Sequence, residues 1–172
     1  REVGHDVDLS EPAIVFLKPS TSVIGPSEAI QYPVGVSEEV DYEGELAFVI
    51  GKRCRHVPRA RAPEVIAGYL ICDDVSVRDW QQRAPTMTLG KSFDTHAPIG
   101  PWVSTADEIV DPHALGLRCF VNGEKRQDSS SKHLVFNIWD QIEHLSQAMT
   151  LEPGDLIFTG TPGSTRALQA GD

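Results

Sequence analysis

Val40-Asp41-Tyr42-Glu43-Gly44-Glu45-Leu46-Ala47-Phe48-Val49-Ile50-Gly51 reads as a β-strand with two carboxylates placed two residues apart. Side chains alternate faces along a strand, so Glu43 and Glu45 point the same way. Val40, Tyr42, Leu46, Phe48 and Ile50 make the opposite, core-directed face. Two like charges beside a buried core repel unless something positive lies between them. A hard divalent cation, with its preference for oxygen ligands, supplies that charge. The competing reading is a solvated strand face with two ordinary glutamates, and the strand alone does not decide between them.

Outward from this strand the chain is densely punctuated. Residues 13–18 form a short apolar segment that reads as a strand and stops at Pro19, and Gly25-Pro26 marks the loop that follows. After Gly51 a basic loop runs to Pro58 and leads to a short helix around residues 63–66. Residues 68–72 read as a second apolar strand that runs straight into Asp73-Asp74. Ser76-Val77-Arg78-Asp79 has capping-box spacing, which predicts a helical turn through residues 80–83. Within residues 117–127, Asn122-Gly123 predicts a type I′ hairpin, with 129–131 as a flexible polar tip. Leu134, Ile138, Ile142, Leu145 and Met149 recur at helical spacing across 133–149, giving one long amphipathic helix. Pro153-Gly154-Asp155 turns the chain into a buried strand at 156–159 that closes on Gly160-Thr161-Pro162. Short strands dominate, so the expected class is mostly β (α+β), with strands from distant parts of the chain packed together.

At 172 residues the chain is expected to form a single catalytic domain with a real core. The net charge of −10 argues against a nucleic-acid or anionic-membrane partner, although a locally positive site would still accept an acidic substrate. No apolar run approaches the roughly 18 residues of a membrane helix. Cys54, Cys72 and Cys119 are an odd number at unrelated spacings, which suggests no disulfide framework or zinc cluster and a reducing cytoplasm. His56, His113 and His144 lack ligand spacing and are read as surface or satisfied side chains. The start at Arg1 without methionine and the stop at Gly171-Asp172 lead us to expect a fragment of a longer protein.

Asp74 is the natural third carboxylate, because strand ends at a sheet rim often carry functional side chains. The competing reading of Asp73 or Asp74 is a cap on the next helical turn. Lys91, between Leu89-Gly90 and Ser92-Phe93, is read either as a partly buried cation aimed at an anion or as a snorkelling surface lysine. Gln81 could reach the same rim, or be an exposed helical glutamine. The Gly160-Thr161-Pro162 turn offers a hydroxyl and backbone donors for a carboxylate, or is a plain β-turn.

Asp-Tyr-Glu-Gly-Glu-Leu-Ala (41–47), Gly-Tyr-Leu-Ile-Cys-Asp-Asp-Val-Ser-Val-Arg-Asp (68–79), Gly-Lys-Ser-Phe-Asp-Thr (90–95), Val-Asn-Gly-Glu (121–124) and Glu-Pro-Gly-Asp-Leu-Ile-Phe-Thr-Gly-Thr-Pro (152–162) resemble the fumarylacetoacetate hydrolase family, as does Phe-Leu-Lys-Pro-Ser-Thr (16–21). The resemblance spans nearly the whole chain in the expected order. It implies a mixed β-sandwich or roll that works as a homodimer, with Mg²⁺ or Mn²⁺ held by Glu43, Glu45 and Asp74. It also implies substrate contacts from Gln81, Lys91 and Thr161, with Lys91 acting in catalysis on a small oxo-acid. Many members carry an N-terminal lid whose His and Glu activate water; Glu2 matches that glutamate, and its histidine partner would fall upstream of Arg1. The family's reactions include hydrolysis of acylpyruvates and fumarylpyruvate, decarboxylation of oxaloacetate and isomerisation of hydroxydienoic diacids. A C–C hydrolase acting on a 2,4-dioxo acid is the preferred expectation, isomerase or decarboxylase the first alternative, and a non-catalytic oxo-acid-binding homologue the second. Gly163-Ser164-Thr165-Arg166 departs from the Gly-Val-Gly loop common in relatives, and Arg166 there is either a reader of a distal carboxylate or a solvated loop arginine.

Overall fold

A computed structural model of the chain describes residues 13–172. Its centre is β3 (Gly44–Ile50), which pairs antiparallel with β4 (Ile66–Asp73) on one side and β9 (Leu156–Phe158) on the other. β6 (Ala97–Thr105) pairs antiparallel with β4, and β1 (Val23–Ile24) runs parallel to β6, so the five-stranded sheet has the order β1-β6-β4-β3-β9. Two small antiparallel pairs flank it: β2 (Val40–Asp41) with β5 (Ser76–Val77), and the hairpin β7 (Gly116–Val121) with β8 (Glu124–Ser130). The only α-helices among the described residues are α1 (Arg78–Gln81) and α2 (Ile138–Ala148). This is the mixed, mostly-β class expected.

The period-two reading of β3 holds, but both faces are covered. Leu46, Phe48 and Ile50 face one way and meet Tyr69, Ala62, Val65, Ile138, Ile142 and Leu151. That packing seats α2 and the 3₁₀ helix Arg59–Val65 against the sheet. Burying each large side chain here contributes about 1.5–3 kcal/mol. The opposite face continues from Glu45 through Ala47 and Val49, opposite Cys72 and Leu70 of β4. A solvated glutamate face is therefore excluded: Glu43 and Glu45 are 1% and 2% exposed.

Several local expectations need correction. The Glu43 strand is interrupted, since Val40–Asp41 pair with β5 whereas Gly44 onward pairs with β4. Residues 13–18 form no strand; Ile14 and Leu17 are exposed, and the β6 edge is occupied by Val23–Ile24 instead. Ser76 does not cap a helix, because it lies in β5 and its hydroxyl donates to the Asp74 carbonyl, and α1 starts without a side-chain cap. The short helix near residue 63 is a 3₁₀ helix over Arg59–Val65. Ser129 and Ser130 are not a flexible tip but pair with Leu117 and Gly116, and Ser131 is buried. The long helix is shorter than its apolar stripe: Asn137 and Asp140 form a reciprocal capping box that starts α2 at Ile138. The hairpin stands as read, with Asn122 and Gly123 at φ 50° and 79°, the left-handed pair a type I′ turn requires.

Candidate active site

The break between β2 and β3 builds the site. There the Glu43 carbonyl accepts from the Asp74 N–H at 2.9 Å, and the Glu43 N–H donates to Asp73 Oδ1 at 2.6 Å. The end of β4 is thus stitched to the start of β3, and Glu43, Glu45 and Asp74 converge with ligand oxygens within 4.8 Å of one another. All three are buried. Asp73 and Asp74 are not helix caps: Asp73 serves the Glu43 backbone, and Asp74 serves two lysines.

One oxygen of each carboxylate is fastened from outside. Lys18 Nζ lies 2.6 Å from Asp74 Oδ1, Arg78 Nη1 lies 2.6 Å from Glu43 Oε1, and the Gly160 N–H donates to Glu45 Oε2 at 2.7 Å. The second oxygens of Glu43 and Asp74 both meet Lys91 Nζ, at 2.7 and 2.9 Å. Lys91 is 0% exposed, which settles it as a buried cation rather than a snorkelling one. It rides on the 3₁₀ turn Thr88–Lys91, which approaches α1 so closely that a Cβ on Gly90 would lie 2.3 Å from the Gln81 nitrogen. Gln81 is buried too, and its Oε1 accepts from Arg78 Nη1 at 2.8 Å, so its NH₂ group is what it can offer a ligand.

Thr161 sits beside the carboxylates. Its hydroxyl donates to the Gly44 carbonyl at 2.9 Å and accepts from Gln127 Nε2 at 2.8 Å. Gln127 closes the loop by accepting from the Gly44 N–H at 3.0 Å. With that hydroxyl proton committed, Thr161 can meet a ligand through its backbone N–H or a remaining lone pair. Glu2 lies outside the described residues.

The electrostatics carry a signature. Burial, and then the Asp74 and Glu43 charges, push the Glu45 carboxyl well above the usual carboxylate range. Burial pushes Asp73 up to about 6 and pulls the Lys18 ammonium down. Among the described residues, the carboxylates Asp41, Glu43, Glu45, Asp73 and Asp74 face the cations Lys18, Arg78 and Lys91, so full ionisation of all five would leave two negative charges unmatched. One divalent cation would match that charge. The donor set, all carboxylate oxygen, fits hard Mg²⁺ or Mn²⁺ and not a soft or thiolate-seeking ion.

Sequence reasoning missed Lys18 and Arg78 as site residues. Their signals were Phe-Leu-Lys-Pro and the arginine four residues after Asp74, both noticed only as pieces of longer motifs. None of His56, His113 or His144 joins the cluster; His113 Nε2 instead accepts from the Ile138 N–H at the start of α2. Two cavities lie elsewhere, about 170 Å³ between β4 and β6 and about 390 Å³ along the basic loop.

A buried carboxylate triad against a lysine is a donor set that suits a hard cation. The chain belongs to the fumarylacetoacetate hydrolase family: the family's model, described as fumarylacetoacetate (FAA) hydrolase C-terminal, matches residues 1–172. The mitochondrial oxaloacetate tautomerase fahd2 of Xenopus laevis is 44% identical over 160 residues, covering 92% of this chain and 50% of that protein. The 2-hydroxyhepta-2,4-diene-1,7-dioate isomerase structure from Mycobacterium marinum is 41% identical at TM-score 0.87, covering 92% and 62%. The maleylpyruvate hydrolase of Sphingobium sp. SYK-6, solved with manganese(II) and pyruvate, is 38% identical at TM-score 0.82, covering 90% and 56%. The chain thus spans between half and two thirds of the length of these relatives.

Proposed function

We propose that this protein is a metal-dependent enzyme acting on 2-oxo acids with a pyruvoyl end, and that it hydrolyses a C–C bond of an acylpyruvate- or fumarylpyruvate-type 2,4-dioxo acid. The observation that carries the proposal is the buried Glu43–Glu45–Asp74 triad with Lys91 against two of its members. The manganese and pyruvate bound together by the Sphingobium relative support it.

Glu43, Glu45 and Asp74 would hold Mg²⁺ or Mn²⁺. Such a cation, when bound, polarises the carboxylate and 2-oxo oxygens of a chelating acid and favours enolate charge. The residues do the rest. Lys91 places a fixed positive charge where an oxyanion develops, and its burial removes the reorganisation that water would impose. Gln81, its oxygen tied to Arg78, presents N–H to the acid, and Thr161 orients the pyruvoyl carboxylate through the turn. Glu2 is assigned to water activation as a general base. We further propose a homodimer that works in the cytoplasm without nucleic-acid or membrane partners; no described helix is long and apolar enough to cross a membrane.

A second reading, isomerisation of a hydroxydienoic diacid or tautomerisation or decarboxylation of oxaloacetate, uses the same residues without water. It is supported by the isomerase and tautomerase relatives. Product analysis separates the two. Acetylpyruvate, fumarylpyruvate, oxaloacetate and a hydroxydienoic diacid are each incubated with Mg²⁺ or Mn²⁺ and with EDTA. EDTA-sensitive release of pyruvate plus a carboxylic acid is expected. A mass-neutral spectral change or CO₂ would select the second reading, and full activity of Glu45→Gln would end both.

A further inference from the structure

Arg78 is buried, and four of its five guanidinium N–H groups meet partners. Nε donates to Asp41 Oδ2 at 2.8 Å, Nη1 serves Glu43 Oε1 and Gln81 Oε1, and Nη2 donates to Thr165 Oγ1 at 2.8 Å. Thr165 in turn donates its hydroxyl proton to Asp41 Oδ2 at 2.5 Å. Arg78, Thr165 and Asp41 therefore close a ring of hydrogen bonds on one edge of the guanidinium. The opposite edge holds a candidate metal carboxylate and the carboxamide beside it. Thr165 belongs to the segment 163–166 that departs from the usual loop, and it is the side chain by which that segment grips the buried cluster. Its neighbour Arg166 points elsewhere, into an exposed pair with Glu124.

We propose that Thr165 is a positioning residue: acting through Arg78, it fixes the Glu43 carboxylate and the orientation of the Gln81 carboxamide, and so ties the loop after the Thr161 turn to cation affinity. The inference rests on the triad being the metal site. The physical reason is the geometry of the fork. A guanidinium edge is fixed most firmly when both of its N–H-bearing nitrogens are bonded, and on this edge the Arg78–Asp41 contact alone is one bond to one oxygen. The hydroxyl supplies the second point, and only an atom that both donates and accepts closes the ring. Outer partners of metal ligands matter for affinity because they hold ligand oxygens in place.

The test is Mn²⁺ affinity by electron paramagnetic resonance of free Mn²⁺, without substrate, on the purified wild type, Thr165→Val and Thr165→Ser, with melting temperatures to establish folding. Valine keeps the shape and removes the hydroxyl; serine keeps the hydroxyl. Thr165→Val should bind Mn²⁺ about tenfold more weakly, the low end for outer-shell partners, with Thr165→Ser close to wild type. On an Arg78→Lys background the valine change should add little, because its path is already cut. Wild-type affinity in Thr165→Val, an equal loss in Thr165→Ser, or additive losses on the Arg78→Lys background overturns the inference. A wild type that takes up no Mn²⁺ removes the metal-site reading itself, and this inference with it.

Discussion

Gly90→Ala tests how the site is held together, because the new methyl would have to enter the contact between two functional segments. A Cβ at Gly90 would lie 2.3 Å from the Gln81 nitrogen, 2.5 Å from its Cα and 2.6 Å from its Cβ. An ordinary Cβ contact begins at 3.4 Å, so the turn carrying Lys91 and the helix carrying Gln81 must part by about 1 Å. The obstacle is largely backbone, which no rotamer change relieves. Overpacking of this kind costs about 1–3 kcal/mol. At this chain length that lowers the melting temperature by roughly 2–12 °C. A displacement of about 1 Å between a fixed charge and its partner costs on the order of 10²-fold in rate. Gly68→Ala is the control: its Cβ would lie 2.3 Å from the Ser104 carbonyl oxygen, a comparable clash. Gly68 is six residues along β4 from Asp74, about 20 Å at strand rise. Calorimetry and kcat/KM on the best substrate, well below both melting temperatures, should show two destabilised proteins of which only Gly90→Ala is slow. Wild-type kcat/KM in Gly90→Ala, or an equal loss in Gly68→Ala, would refute the reasoning.

Three further outcomes are expected. Lys91→Met removes the ammonium shared by Glu43 and Asp74 and should cost about 3–5 kcal/mol in metal-free buffer, with Mn²⁺ restoring much of the stability but not the activity; urea denaturation with and without Mn²⁺ reads both. Mn²⁺ at a hundred times its dissociation constant should stabilise the wild type by about 2.7 kcal/mol, and Glu45→Gln should abolish that shift in calorimetry. His113 must be neutral to accept the Ile138 N–H, and burial lowers its pKa from 6.5. Because the folded value is depressed, this contribution is present above pH 6.5 and is lost as pH falls through the folded value. Urea midpoints should therefore drop on acidification from about pH 7 to 5, and His113→Ala should flatten that part of the profile.

The sequence carried the carboxylates further than their surroundings. Glu43 and Glu45 share a face because the backbone repeats every two residues, a rule that needs no partner strand. Their burial was not legible, since β9, which covers one side of β3, begins more than a hundred residues later. Lys91 was ambiguous for the same reason: whether its ammonium is buried depends on Glu43 and Asp74 arriving from elsewhere. Arg78 was hidden by a local pattern. Its neighbours have capping-box spacing, yet Ser76 is drawn into β5 by pairing with Asp41, and tertiary pairing outweighed the helical signal. The 13–18 segment was read as a strand from apolar content alone, whereas a strand needs a free edge, and β6 gives its edge to β1.

Several donors at and around the triad come from far along the chain. Lys18 reaches Asp74 across 56 positions, Gly160 reaches Glu45 across 115, and Thr165 reaches Asp41 across 124. Loops that long must close before any of these bonds exists, and each closure costs entropy before it returns a contact. Folding should accordingly be slow for a chain of this size, with the cation-binding geometry among the last features to form. A nascent chain halted before residue 160 would display Glu43, Glu45 and Asp74 without the amide and hydroxyl that orient them. On the proposed metal reading, a competent cation site would exist only after synthesis has passed Thr165.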